Sequence, residues 1–278
     1  MTRRTRTTRG TLATAVPLLF ILALACPQHA APSKRTAAHG GVRLTFDDAL
    51  AREVRAETLP AAPLESADEK PDGVYPEHVA FTLVNINGAP ADSFNEPVIR
   101  VCPVAEYLKA FSVSPQLVRD ARRTLGDLRA LLRRRPAVLK ANVPALPFAD
   151  ATEVLHARVK YLRFRGGSGL AFLTQSQQDD ELLNSQHAAY SFRGLTDDGR
   201  FYVTADLPVG SRALAANRDT PSHEGYSLTN RPGDRRESRR YAAYVERVRL
   251  KLERLSPEQF GPDLRLYDEL LSSIEISK

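Results

Sequence analysis

YLRFRGGSGLAFLTQ, residues 161–175, and YSFRGLTDDGRFYVTADLPV, residues 190–209, decide the fold. Each holds two runs rich in β-branched and aromatic residues, separated by a glycine-containing break. The first break is Gly166-Gly167-Ser168-Gly169 and the second is Asp197-Asp198-Gly199. Glycine supplies the positive φ angles that a tight hairpin turn demands. Neither break is long enough for a parallel crossover, which needs a dozen or more residues, so both pairs are predicted antiparallel: 158–165 with 169–175, and 189–195 with 200–207. In the last run Phe201, Val203, Ala205 and Leu207 alternate with Arg200, Tyr202, Thr204 and Asp206, the period-2 pattern of a strand with one buried face.

Further strands are expected upstream. Val42, Leu44 and Phe46 alternate with Arg43, Thr45 and Asp47, and 78–86 and 97–104 are two more apolar runs. Residues 60–76, with four prolines and a charge cluster, read as a long surface loop. Ser114 followed by Pro115 opens the clearest helix, because proline lacks the amide hydrogen that would be unsatisfied at that position. Leu117, Val118, Ala121, Leu125, Leu128 and Leu132 recur at the helical period until Pro136. Two more amphipathic stripes follow near the end. One is Tyr241, Tyr244, Val245, Val248, Leu252 and Leu255; the other is Leu264, Tyr267, Leu270, Leu271 and Ile274. Ser256-Pro257-Glu258-Gln259 between them has the residues of a capping box. The expected architecture is α+β: an antiparallel sheet of about five to seven strands built from hairpins, with two or three amphipathic helices packed on it.

The two quoted strings resemble segments shared by a group of bacterial extracytoplasmic proteins and lipoproteins for which no activity is established. The resemblance rests on turn and strand residues and covers about a fifth of the chain. It implies location and fold, and carries no functional residue over.

The amino terminus agrees with that location. Arg3, Arg4, Arg6 and Arg9 form a basic head without an acidic residue, and an apolar run from Leu12 to Ala25 follows, interrupted by Thr14 and Pro17. This is the build of an export signal over 1–25. The run is short for a bilayer-spanning helix, which wants about 20 apolar residues. Ala23-Leu24-Ala25 places small residues before Cys26, as a lipoprotein signal does, so Cys26 is the expected lipidation site and the membrane an expected partner. Ordinary cleavage at the same place would instead leave two thiols, Cys26 and Cys102, in an oxidising compartment. Residues 26–40, small and polar, read as a flexible tether, and 41–278 as one α+β domain.

Four of the 39 basic residues and none of the 33 acidic ones lie in the leader, so the remaining chain carries 35 against 33. The pI near 9.4 is then largely a property of the leader. Nucleic-acid binding, which requires a basic stripe with stacking aromatics, is not expected. Arg119, Arg122, Arg129 and Arg133 line one flank of the first helical stripe. They are candidates for contact with anionic lipid or wall polymer, set against a solvated helix face whose arginine stems cover apolar surface. Arg235, Arg236, Arg239 and Arg240 form a second cluster, read as a charged loop entering a helix.

Catalytic and metal signals are weak throughout. Ser168 lacks the final glycine of a nucleophile elbow, since Leu170 stands there, and it reads as a turn serine. Cys102 reads as a buried strand cysteine without sequence spacing that recommends His156, His187 or His223 as its base. The histidines form no HExxH, and Asp197-Asp198-Gly199 lacks calcium-loop spacing. Asp47 and Asp48 face opposite sides of a strand. No cofactor is expected. The functional expectation is an exported lipoprotein with a non-enzymatic binding or scaffolding role at the envelope. The alternative is a secreted hydrolase whose site is assembled from residues distant in sequence, to be recognised by a histidine, a carboxylate and a serine or cysteine meeting in one pocket.

Overall fold

A computed structural model describes residues 33–139, 141–148, 150–228 and 235–277. The leader, Cys26 and the first part of the expected tether lie outside the described residues.

The described chain opens with strands β1 (Lys34–His39) and β2 (Val42–Asp47), an antiparallel hairpin turning at Gly40 and Gly41, both at positive φ. Residues 34–39, expected as part of a tether, are therefore a strand. Pairing with β2 satisfies their backbone groups although their side chains are mostly exposed, so no apolar pattern marks the strand. Strands β3 (Ala51–Leu59), β4 (His78–Ile86) and β5 (Val98–Pro103) then form a meander. Helices α1 (Val104–Ala110) and α2 (Pro115–Arg134) cross one face of the sheet to its far edge. From there β6 (Thr152–Glu153), β7 (Ala157–Phe164), β8 (Gly167–Thr174), β9 (Ser176–Gln177), β10 (Ala189–Thr196) and β11 (Phe201–Pro208) bring the chain back towards the centre. The main sheet has seven strands in the order β3-β4-β5-β11-β10-β8-β7, with every neighbouring pair antiparallel.

Both predicted hairpins are present. Arg163 stands opposite Ser168 in the first, and Leu195 opposite Tyr202 in the second. The glycines of the first differ from expectation, however. The turn is Arg165-Gly166, and of the three glycines only Gly166 has positive φ. Gly167 and Gly169 lie within β8, and Ser168 is a strand residue rather than a turn serine. Their lack of a side chain makes room for rings: a Cβ on Gly169 would lie 2.2 Å from Phe192 Cζ, and one on Gly167 would lie 2.2 Å from Phe164 Cζ.

The last segment begins with β12 (Gly210–Ser211) and α3 (Arg235–Arg254). Arg235, Arg236, Arg239 and Arg240 thus belong to the helix itself and not to a loop entering it. The capping box at Ser256 is formed, but it caps the 3-10 turn Pro257–Gln259. β13 (Phe260–Gly261) pairs with β12; α4 (Leu264–Ser272) has its own N-cap, Asp263; β14 (Glu275–Ile276) joins β2.

The sheet is covered on both sides. Tyr244, Val248 and Leu252 of α3 and Tyr267, Leu270 and Leu271 of α4 bury one face together with Val101, Leu173, Phe192, Val203 and Leu207. On the other face Ala121, Leu125, Leu128 and Leu132 of α2 pack over Leu170, Leu195, Tyr202 and Cys102. Every residue of β10 is buried. Ser114 caps α2 as expected, accepting from the Leu117 amide, and Arg135 closes it in the left-handed conformation just before Pro136. Among the described residues no helix is long and apolar enough to cross a membrane.

Candidate binding cleft on the central strands

Helix α2 covers only half of its face. Leu170, Leu195 and Tyr202 lie beneath it, whereas Thr174, Arg193, Thr204 and Asp206 lie further along the same strands, on the same side by alternation. Three loops wall this uncovered half: residues 142–148 with Ala151 after α2, the segment holding Phe94 and Asn95, and the β9–β10 connection with His187. Together they enclose a cleft of about 650 Å3. Its walls are fixed by specific bonds. Tyr202 Oη binds both the amide and the carbonyl of Leu146 at 3.2 Å, and Asn95 Nδ2 donates to the carbonyls of His187 and Ala188 at 3.1 and 2.9 Å.

Arg193 forms the floor. Its Nη2 donates to both oxygens of Asp206, at 2.8 and 3.0 Å, and its Nη1 to the carbonyls of Ala205 and Phe192, at 2.8 and 3.0 Å. Ser191 also donates to Asp206. Burial opposes the Arg193 charge, but the adjacent Asp206 carboxylate, with smaller contributions from Tyr202 and Glu153, holds the guanidinium pKa above its usual value. Arg193 is 7% exposed and Thr174 4%. Both line the cleft, and both keep a polar atom without a partner, Nε of Arg193 and Oγ1 of Thr174. Such orphaned buried groups are uncommon in folded proteins and each costs about 1–3 kcal/mol.

Two histidine–carboxylate pairs flank the floor. Glu153 Oε2 accepts from the Val143 amide at 3.2 Å and lies 2.9 Å from His156 Nε2. His187 Nδ1 lies 2.7 Å from Glu181 Oε2, close as an ion pair although Glu181 Oε2 gains no aligned hydrogen bond. Phe94, 63% exposed, stands at the mouth with its ring edge-on to His187, centroids 4.6 Å apart.

The expected site residues lie elsewhere. Arg119, Arg122, Arg129 and Arg133 are all exposed on α2, and none makes an ion pair among the described residues. Arg119 and Arg122 border an open groove against α1, while Arg129 and Arg133 join Arg135 and Arg163 around a depression of about 380 Å3 at the turn end of β8 and β10. Ser168 borders that depression and not the cleft. Cys102 is fully buried under α1 and α2, and burial pushes its thiol up to about 12, so it stays protonated. No serine or cysteine side chain is hydrogen-bonded to a histidine among the described residues. No group of three or more His, Cys, Asp or Glu is placed to hold a metal ion among them.

Arg193, Asp206 and Thr174 carry no motif that marks them as site residues in the sequence. The register of the second hairpin already places Thr204 opposite Arg193 and Asp206 diagonal to it on the same face, a cross-strand charge pair. What it does not reveal is that this face is enclosed. No family model, curated protein or solved structure matches the chain.

Proposed function

We propose that the chain is an exported binding protein of the cell envelope, held at the membrane by a lipid on Cys26, with the Arg193 cleft as its ligand site. The basic head, apolar run and Ala23-Leu24-Ala25-Cys26 junction support export and anchoring. The observation that carries the binding role is the buried floor, where Arg193 and Thr174 line an open cleft with hydrogen-bonding capacity that the protein itself leaves unused. The exposed arginines 119, 122, 129 and 133 of α2, without ion pairs of their own among the described residues, supply a contact for anionic lipid or wall polymer. A secreted hydrolase is the second reading, favoured by one feature: Glu153, held by Val143 and His156, opens on the same cleft.

The test compares the full chain with Cys26→Ser after expression with the leader intact. Lipidation predicts detergent partitioning and an acyl mass increment, both lost in the variant. The Cys26→Ser chain is then incubated with purified envelope polymer and with anionic vesicles. Retention of polymer at unchanged mass fits a binder; released fragments fit the hydrolase instead. Charge reversal of Arg122 and Arg129 should abolish any salt-sensitive vesicle or polymer association that does not depend on the cleft.

A further inference from the structure

We propose that the occupant of the Arg193 cleft is a saccharide, recognised through its hydroxyl groups on the floor and through the C–H face of a sugar ring on Phe94. This rests on the binding reading above and narrows it to one ligand class.

The charges of the floor exclude a simple anion trap. Arg193 spends Nη2 on both oxygens of Asp206 and Nη1 on two carbonyls, so only Nε–H remains, on a cation that is already compensated. The side chain of Asp206 is 45% exposed and would repel a carboxylate or phosphate arriving at the same place. Glu153 and His187 are each already paired, with His156 and Glu181. The lining cation without an ion pair among the described residues is Arg218, which sits exposed at the rim.

The groups left over ask for both kinds of partner within one small space. Arg193 Nε–H needs an acceptor, the free lone pairs of Asp206 need a donor, and the Thr174 hydroxyl takes either. A hydroxyl group donates and accepts from one atom, and adjacent ring hydroxyls repeat that capacity at short spacing. A peptide fits less well. An extended peptide binds by adding to a free sheet edge, but β8, β10 and β11 are interior strands with a neighbour on each side, β11 pairing with β5 as far as Ala205. The ring of Phe94 supplies the apolar component, since its edge contact with His187 fixes it and leaves its surface open at the mouth. The cleft volume lies within the range of small-ligand sites, about 300–1,000 Å3, which suits a short oligosaccharide.

The experiment uses the full Cys26→Ser chain with a panel of neutral and uronic-acid di- to tetrasaccharides, read by saturation-transfer NMR and titration calorimetry. At least one neutral member should bind, with saturation strongest on ring C–H protons. Phe94→Ala, at an exposed position that leaves the fold intact, should weaken that binding about tenfold, and Thr174→Val about two- to tenfold. A preference for uronic acids that Phe94→Ala does not touch, or no binding by any member, overturns the proposal. Envelope retention separates the two failures. Retention that Phe94→Ala removes but no saccharide displaces refutes the saccharide and keeps the cleft as a binding site, whereas loss of retention altogether takes both readings down.

Discussion

Removing Asp206 should leave a cation stranded on the floor of the cleft. In Asp206→Ala the guanidinium of Arg193, a residue 7% exposed in the parent, loses its two bonds of 2.8 and 3.0 Å and keeps only the carbonyls of Ala205 and Phe192. Breaking a buried pair by deleting one partner costs about 3–5 kcal/mol, because the remaining charge is uncompensated. Asp206 is itself nearly half exposed, so water enters readily beside Arg193 and the lower end applies, about 3 kcal/mol. At about 2–4 °C per kcal/mol for a chain of this size, the melting temperature should fall by roughly 6–12 °C. Adding Arg193→Met should recover most of the loss, since replacing a whole buried pair by apolar side chains of similar volume is close to neutral. The carbonyls that Arg193 releases belong to the β10–β11 pairing and keep a second lone pair in use there. Urea denaturation followed by far-UV circular dichroism measures both effects, and tyrosine fluorescence gives a second probe in a chain without tryptophan. A loss below about 1 kcal/mol for Asp206→Ala, or a double variant no more stable than the single one, would refute the idea that Arg193 is a buried charge held by Asp206.

Two other outcomes follow from the same geometry. Gly169→Ala should destabilise by about 1–3 kcal/mol through overpacking, although its φ is ordinary, because the new methyl meets the Phe192 ring; pairing it with Phe192→Leu should restore part of the loss, and equal stability of Gly169→Ala and parent would show that the ring has room to move. His78 is 5% exposed and burial lowers its pKa, offset in part by its bond to the Pro76 carbonyl, and burial lowers that of His223 as well. A depressed histidine binds its proton more readily unfolded than folded, so stability is full above the unfolded value near 6.5 and falls as pH drops below it, ahead of the carboxylates such as Glu224 and Glu275 whose contribution is lost only below their unfolded value of 4.5. Denaturation midpoints between pH 7.5 and 5.5 should decline, with a shallower slope in His78→Gln; an unchanged slope would mean that His78 titrates alike in both states.

The readable parts of the fold are those whose pattern is local. Alternation from Phe201 to Leu207 and the turn at Asp197-Asp198-Gly199 specify a hairpin within twenty residues, and Ser114-Pro115 with its leucine stripe specifies α2. Strand β3 escaped because Ala51–Leu59 reads AREVRAETL, rich in helix formers. It is an edge strand, mostly exposed, and its pairing with β4 overrides its propensity. The glycines of β8 were legible as special but for the wrong reason, since a missing Cβ serves a close ring contact as well as a positive φ. The cleft could not be read at all. Its walls include residues 142–148 and Ala151, which have no periodicity, and its floor looks in sequence like the solvent face of an amphipathic strand.

That floor is where the sequence departs from what packing alone would select. Ahead of it along the same strands, Leu170, Leu195 and Tyr202 bury against α2 in the usual way. A few residues on, the side chains on that face become Thr174, Arg193, Thr204 and the half-exposed Asp206, including one ion pair and two orphaned polar atoms. An apolar floor would be at least as stable, so these residues are a cost to the fold, and local conflicts of this kind concentrate at functional sites. Thr174 makes that cost measurable. Its Oγ1 has no partner to lose, so Thr174→Val, nearly equal in volume, should leave stability unchanged or raise it by up to about 1 kcal/mol while removing a ligand contact. A structural core threonine would respond in the opposite sense. If Thr174→Val lowers stability by 1 kcal/mol or more, the hydroxyl is satisfied within the fold, for instance by an enclosed water, and the floor has one fewer reason to be read as a binding surface.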